Sequence, residues 1–195
     1  MLAQIESGCT VTHMTLLSTA DARRPVVVES ALATFAQGGY HGTTIAEVGR
    51  AAGISPAYVF KLFPSKEQLF IAALEECFRQ CLETFTAAAD RVRDRSPEGI
   101  LGEMGAAYAD LIIDRSLIMI QVHAQSVADI VEIGTSYRAG MAAITRLVQS
   151  LSGADDAAVQ RMIAYGQLCH LIVVAGLIDR HEDWAEVITA GFRHD

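Results

Sequence analysis

The segment from Thr43 to Phe70, TTIAEVGRAAGISPAYVFKLFPSKEQLF, constrains this chain more than any other. Three helix starts fall inside it, each with its own cap. Thr44 to Glu47 fits a capping box, in which the threonine hydroxyl accepts from the backbone three residues on and Glu47 reaches back. Ile45, Val48 and Ala52 supply the buried side of this short helix, and Gly53 ends it. Ser55 is a natural N-cap, and Pro56 suits a first helical position, where no N–H is needed. Val59 and Phe63 point inward at i and i+4, which leaves Pro56, Ala57, Tyr58 and Lys61 outward. Ser65 to Gln68 reads as a second capping box.

Upstream, Val28, Ala31, Leu32 and Phe35 share one helical face, and Gly38-Gly39 closes that helix. Two short helices joined by a tight turn, preceded by one helix and followed by another, is the arrangement that sets a helix into the DNA major groove. A small helical bundle would carry the same caps, so surface chemistry decides between them. Arg50, Lys61 and Lys66, with hydroxyls at Thr44 and Ser55, surround an expected exposed Tyr58. Cations and helix N-termini hold phosphate, and an aromatic ring contacts a base or a thymine methyl.

Residues 23 to 74 resemble the N-terminal domain of the TetR family of bacterial transcriptional regulators. The matching pieces are Ala31-Leu32 to Phe35, Gly39-Tyr40, Thr43-Thr44-Ile45, Ala51 to Ser55, Phe63 to Glu67, and Leu69-Phe70. The resemblance implies that Thr44 and Lys66 hold DNA phosphates and that Pro56, Ala57, Tyr58 and Lys61 sit on the recognition helix. Two positions depart from the family pattern: Phe60 stands where tyrosine is common, and Leu62 where histidine is common.

The net charge of −8 excludes a protein coated in cations, but the charge is unevenly spread. Residues 20–70 carry five cations against four acids, and residues 71–195 ten arginines against eighteen acids. The relatively basic head would face a polyanion and the acidic body would turn away. Cys9, Cys77, Cys81 and Cys169 lack CxxC spacing and a disulfide framework, which fits a reducing cytoplasm. Cys77 and Cys81 lie on one apolar stripe as small buried hydrophobes, with a redox pair as the sharper alternative. Residues 1–22 lack the pattern of a signal peptide. The apolar run from Leu168 to Ile178 is shorter than the ~20 residues a membrane span needs. The start is read as a flexible arm over residues 1–20, with Met1 or Met14 as the first residue.

Beyond residue 70 only helical periods recur. The fold class is therefore all-α: a helix-turn-helix DNA-binding domain over 21–67, then a larger helical ligand-binding and dimerisation domain over 68–195. Helices are expected from Pro97, through Leu117–Val122, along Ile130–Leu151 with bends at Gly134 and Gly140, from Asp155 or Asp156 through Ile178, and around Trp184. The penultimate helix is apolar over most of its circumference, which soluble monomers avoid. A second copy is the expected cover, with Gly166, His170, Val173, Val174, Leu177, Trp184 and Ile188 at the seam; the family commonly dimerises through its last two helices. Met104, Tyr108, Met119, His123, Tyr137, Met141 and Tyr165 are candidate lining for a ligand cavity; filling the core is the alternative.

The six histidines are scattered, and none stands at metal-ligand spacing with cysteine or carboxylate. No Walker, Rossmann, HExxH or GxSxG motif occurs. No enzyme, metal or cofactor is expected. The expected partners are a pseudo-palindromic double-stranded operator, a small and largely apolar effector, and a second copy, with no membrane. The leading reading is a cytoplasmic homodimeric regulator, most simply a repressor. The alternative is a helical dimeric small-molecule or protein-interaction module with weak or lost DNA binding.

Overall fold

The computed structural model describes residues 19–191; the expected N-terminal arm lies almost wholly outside them. The described chain is helical: α1 Thr19–Gly42, α2 Ile45–Ala51, α3 Pro56–Leu62, α4 Lys66–Arg91, α5 Pro97–Leu111, α6 Arg115–Ser126, α7 Val131–Ser152, α8 Asp156–Val174 and α9 Asp183–Thr189. A short 3-10 turn, Leu177–Asp179, separates α8 from α9. No strand occurs among the described residues, as an all-α fold requires.

The starts follow the caps read from sequence. Side-chain oxygens of Thr44, Ser55, Ser65, Ser96 and Asp155 each accept a backbone N–H of the first turn they precede. Only Thr44 forms the reciprocal box, with Glu47 Oε2 accepting from the Thr44 N–H at 2.7 Å. At Ser65 only the serine half forms, its hydroxyl accepting from the Gln68 N–H. Gly39 turns the end of α1 at φ 68°, a conformation glycine adopts without penalty.

The 26-residue α4 runs from the head into the body. Its first turns bury Leu69, Phe70, Ala73 and Leu74 against α1, where the Phe70 ring meets Phe35 edge-on at 5.0 Å and Tyr40 at 5.4 Å. Its later turns bury Cys77, Phe78, Cys81 and Phe85 toward α5, α6 and α7. Each large apolar side chain taken from water contributes about 1.5–3 kcal/mol. One continuous core therefore joins both ends. A division at 67/68 falls inside this helix.

Two expectations fail for steric reasons. α8 stops at Val174, short of Ile178, because Gly176 takes the left-handed conformation (φ 64°) that terminates helices. α7 runs unbroken through Gly134 and Gly140. These glycines allow close approach: a Cβ at 140 would overlap the Phe78 ring, and one at 134 the Ala128 carbonyl. Gly140→Ala should therefore lower stability by about 1–2 kcal/mol, since overpacking outweighs alanine's helix preference. Gly102→Ala on α5, with nothing within 4 Å of the new methyl, should raise it by up to ~1 kcal/mol. Urea midpoints of the two variants compare the effects directly.

Candidate nucleic-acid interface and body cavity

The α2–α3 pair is held by a close crossing. Gly49 is buried on α2, and a Cβ there would lie 2.9 Å from the Ile54 carbonyl and 3.4 Å from the Pro56 nitrogen. Val48, Val59 and Leu62 fill the angle between the helices and α1. Arg24 locks α3 from behind: its Nη2 donates to the Leu62 carbonyl at 2.8 Å and its guanidinium sits 4.4 Å from the Phe63 ring centroid. Thr43, 1% exposed, donates from Oγ1 to the Thr34 carbonyl and pins the α1–α2 turn. Gly49 was not singled out by sequence pattern, although a glycine inside a capped seven-residue helix signals close packing.

The outer side of α3 presents Pro56, Ala57, Phe60 and Lys61, all exposed, with Ser55 ahead of them. Tyr58 is half-buried against the core, not fully exposed as expected, and the Lys61 ammonium lies 5.9 Å from its ring centroid. Arg50 is exposed at the end of α2. Lys66 is half-buried, 4.8 Å from the Tyr40 ring centroid, and donates to the His41 carbonyl at 3.4 Å. The Thr44 hydroxyl donates to Glu47 Oε2 at 2.8 Å, and these bonds hold the Glu47 carboxyl below its usual range. Burial and a bond to Glu67 push the Tyr40 phenol up to about 12. Thr44, Arg50, Ser55 to Tyr58, Lys61 and Lys66 thus share the α2–α3–α4 end of the molecule.

In the body, a cavity of about 580 Å³ opens between α4, α5, α7 and α8. Phe85, Leu101, Met141, Ile144 and Met162 line it with carbon, and Tyr108, Gln121 and Cys169 add polar atoms. Glycines and alanines on α5 (Gly102, Gly105, Ala106, Ala109) leave the room. Of the expected lining residues, Tyr108, Met141 and Tyr165 are present and four are not. Met104 is fully buried in the core. Met119 is half-buried on α6, away from the cavity. Tyr137 packs on Phe78 and its hydroxyl accepts from Gln125 at 2.6 Å. His123 faces α1, with Nε2 3.2 Å from the Ala36 carbonyl and its ring against Gly39. The α6 helix therefore touches the cavity through Gln121 and the head through His123.

The residues expected at the dimer seam differ in their exposure within the chain. His170, 4% exposed, points inward, with Nε2 2.8 Å from the Tyr108 hydroxyl. Leu177 is buried and Gly166 lines the cavity. Val173 and Val174 half-bury against Ile112, Ile118 and Cys169, and Ile188 is half-buried. Trp184 is 54% exposed. Apolar surface missed by the sequence reading lies at Leu171, Ile178 and Val187. Along α8, Ala157, Ala164 and Leu171 are exposed at seven-residue spacing. Among the described residues α8 alone is long and apolar enough to cross a membrane by length and composition. No three metal-ligating side chains cluster among the described residues.

Residues 27–73 match the family model described as bacterial regulatory proteins, tetR family. Over 73 residues the chain is 37% identical to the HTH-type transcriptional regulator RutR of Escherichia coli K12, covering 37% of this chain and 32% of that protein. It is 30% identical over 106 residues to the HTH-type transcriptional regulator TcmR of Streptomyces glaucescens, covering 46% of this chain and 47% of that one. The aligned parts thus span about a third to a half of these relatives' lengths. The fold extends further: the transcriptional regulator FadR of Bacillus subtilis, solved with stearoyl-CoA, superposes with a TM-score of 0.67 over 85% of this chain and 94% of its own at 15% identity.

Burial depresses the His170 pKa from 6.5 to about 4. The Tyr108 hydroxyl, its own pKa raised well above normal by burial, pairs with Nε2, and Nδ1 has no hydrogen-bond partner. The unfolded chain takes up a proton near pH 6.5 and the folded chain only near 4, so this group's contribution erodes as pH falls across that window. At about 1.36 kcal/mol per pKa unit, the loss approaches ~3 kcal/mol. His170→Gln should remove most of that slope, read as urea midpoints between pH 7 and 4.

Proposed function

We propose that this chain, whose residues 27–73 match the model of the tetR family of bacterial regulatory proteins, is a homodimeric, ligand-responsive transcriptional regulator of the cytoplasm, most simply a repressor. The observation that carries this reading is the α2–α3 crossing at Gly49, which holds one capped helix with its outer side free beside Arg50, Lys61 and Lys66. Residues 21–67 would form the DNA-reading unit and 68–195 the ligand-holding and dimerising one. A twofold pair would present two α3 helices to half-sites about 34–36 Å apart or a multiple of that.

A small, largely apolar effector suits the cavity, whose 580 Å³ lies within the common range for small ligands. The Tyr108 and Gln121 polar atoms would orient it. The effector would act by favouring a body arrangement in which the two α3 helices no longer match the half-site spacing. Its contacts through α4 and α6 both lead to the head. The competing reading, a dimeric binding module without DNA affinity, drew on Phe60 and Leu62. Leu62 is buried with its carbonyl held by Arg24, so it concerns packing and leaves the outer face untouched.

Fluorescence anisotropy with duplex DNA flanking the chain's own gene tests the reading. Binding should weaken steeply with salt. Arg50→Ala and Lys66→Ala should each lower affinity for all sequences and reduce the salt slope by about one. A chain that ignores duplex DNA at low ionic strength overturns the proposal. Leu171→Glu should convert the dimer to monomer in light scattering, because it places a charge in the exposed apolar stripe of α8.

A further inference from the structure

Base readout from α3 has an unusual chemistry. At 3.6 residues per turn, the exposed Pro56, Phe60, Ala57 and Lys61 occupy, in that order, about 140° of the helix. Three of these four side chains end in carbon. Phe60 is 49% exposed and is a member of neither buried apolar cluster. Tyr58 lies at the edge of the arc and is half-buried. The flanking hydroxyls are already engaged in their caps: Ser55 Oγ accepts from the Tyr58 N–H, and the Thr44 hydroxyl accepts from the Glu47 N–H and donates to its carboxylate.

Major-groove recognition through hydrogen bonds relies on arginine or lysine for guanine, asparagine or glutamine for adenine, and carboxylates for cytosine. The outer side of α3 offers only Lys61 from that set. What carbon surface can distinguish in the groove is the C5-methyl of thymine, its one apolar feature. Arg50 and Lys66 beside this surface supply the complementary charge that would bring it onto duplex DNA.

Resting on the DNA-binding reading above, we propose that this chain selects its half-site chiefly through thymine methyl groups received by Phe60 and Ala57. The cations fix register on the phosphates, and the apolar pair decides which base pairs are accepted. Removing a methyl takes away the discriminating contact without disturbing charge or base pairing.

The test begins with selection of binding sites from a randomised duplex pool by the full-length dimer. Affinity is then measured on the selected duplex with each thymine replaced in turn by uracil. At one or two positions per half-site, uracil should weaken binding about threefold to tenfold, the size expected for one buried methyl. Phe60→Ala should bind the thymine duplex less tightly and lose most of the uracil penalty, while Phe60→Leu keeps part of it. Thermal unfolding confirms that these variants fold, which the exposure of Phe60 predicts. Equal affinity for thymine and uracil duplexes overturns the proposal, and so does a full uracil penalty in Phe60→Ala. If no duplex is enriched or bound at low salt, the DNA-binding reading falls and takes this proposal with it. A methyl-blind but sequence-selective protein sinks this proposal alone.

Discussion

One buried side of α4 underlies the rest of the structure. Phe70 wedges between Phe35 and Tyr40, and within three turns Cys77, Phe78 and Cys81 are buried among α5, α6 and α7. The head alone would be a three-helix unit of modest core. By sharing α4 it gains a floor, and the short α2 and α3 are stabilised as folded packing rather than as isolated helices, which seven residues cannot sustain in water. Rigid seating of α3 is a precondition for reading base edges, so the stability of the head and its proposed use have one origin.

Local chemistry made much of this fold legible from sequence. Caps at Thr44, Ser55, Ser65, Ser96 and Asp155 act within four residues, so their effect appears in any short window of sequence. The same holds for Pro56, Ala57 and Lys61 on α3, whereas Tyr58 half-buries against the core and Phe60 is exposed in its place. What escaped was set by distant partners. Met104 and Met141 look alike in a helical stripe, but one meets the filled core and the other the cavity wall. His170 on an apolar helix suggests a seam until Tyr108, 62 residues away, is seen to take its Nε2. Gly140 reads as a weak point, yet the Phe78 ring occupies the space a methyl would need. Periodicity tells which side is inward and is silent on what lies there.

The cavity has a comparable origin. Gly99, Gly102 and Gly105 recur every three residues on α5, and the last two line the space. Small residues on a helix normally draw a neighbour close; here the facing helices stay apart and the volume remains open. Their cost in helix propensity, about 1 kcal/mol each relative to alanine, is the kind that persists where room itself is useful. Tyr108 and Gln121 stand where a polar atom of a guest would find partners, and Glu98, Arg161 and Gln167 add further polar groups to a wall that is otherwise largely carbon.

The head meets the body a second time where α1 packs on α6, and the polar chemistry of that contact is concentrated in a few residues. His123 approaches the Ala36 carbonyl and lies against Gly39, whose left-handed turn leads to Tyr40 and His41. Tyr40 carries Lys66 over its ring and bonds Glu67, and the His41 carbonyl accepts from Lys66. Within this cluster, α6, the end of α1 and the start of α4 touch one another. Gln121, two residues before His123, faces the cavity on the opposite side of α6. A guest that displaced α6 would bear on the turn that holds Lys66, a proposed phosphate contact, without α3 itself having to move. Packed helices shift between discrete arrangements rather than deforming smoothly, so a small displacement at Gln121 has a direct physical route to the grip of the head on a polyanion.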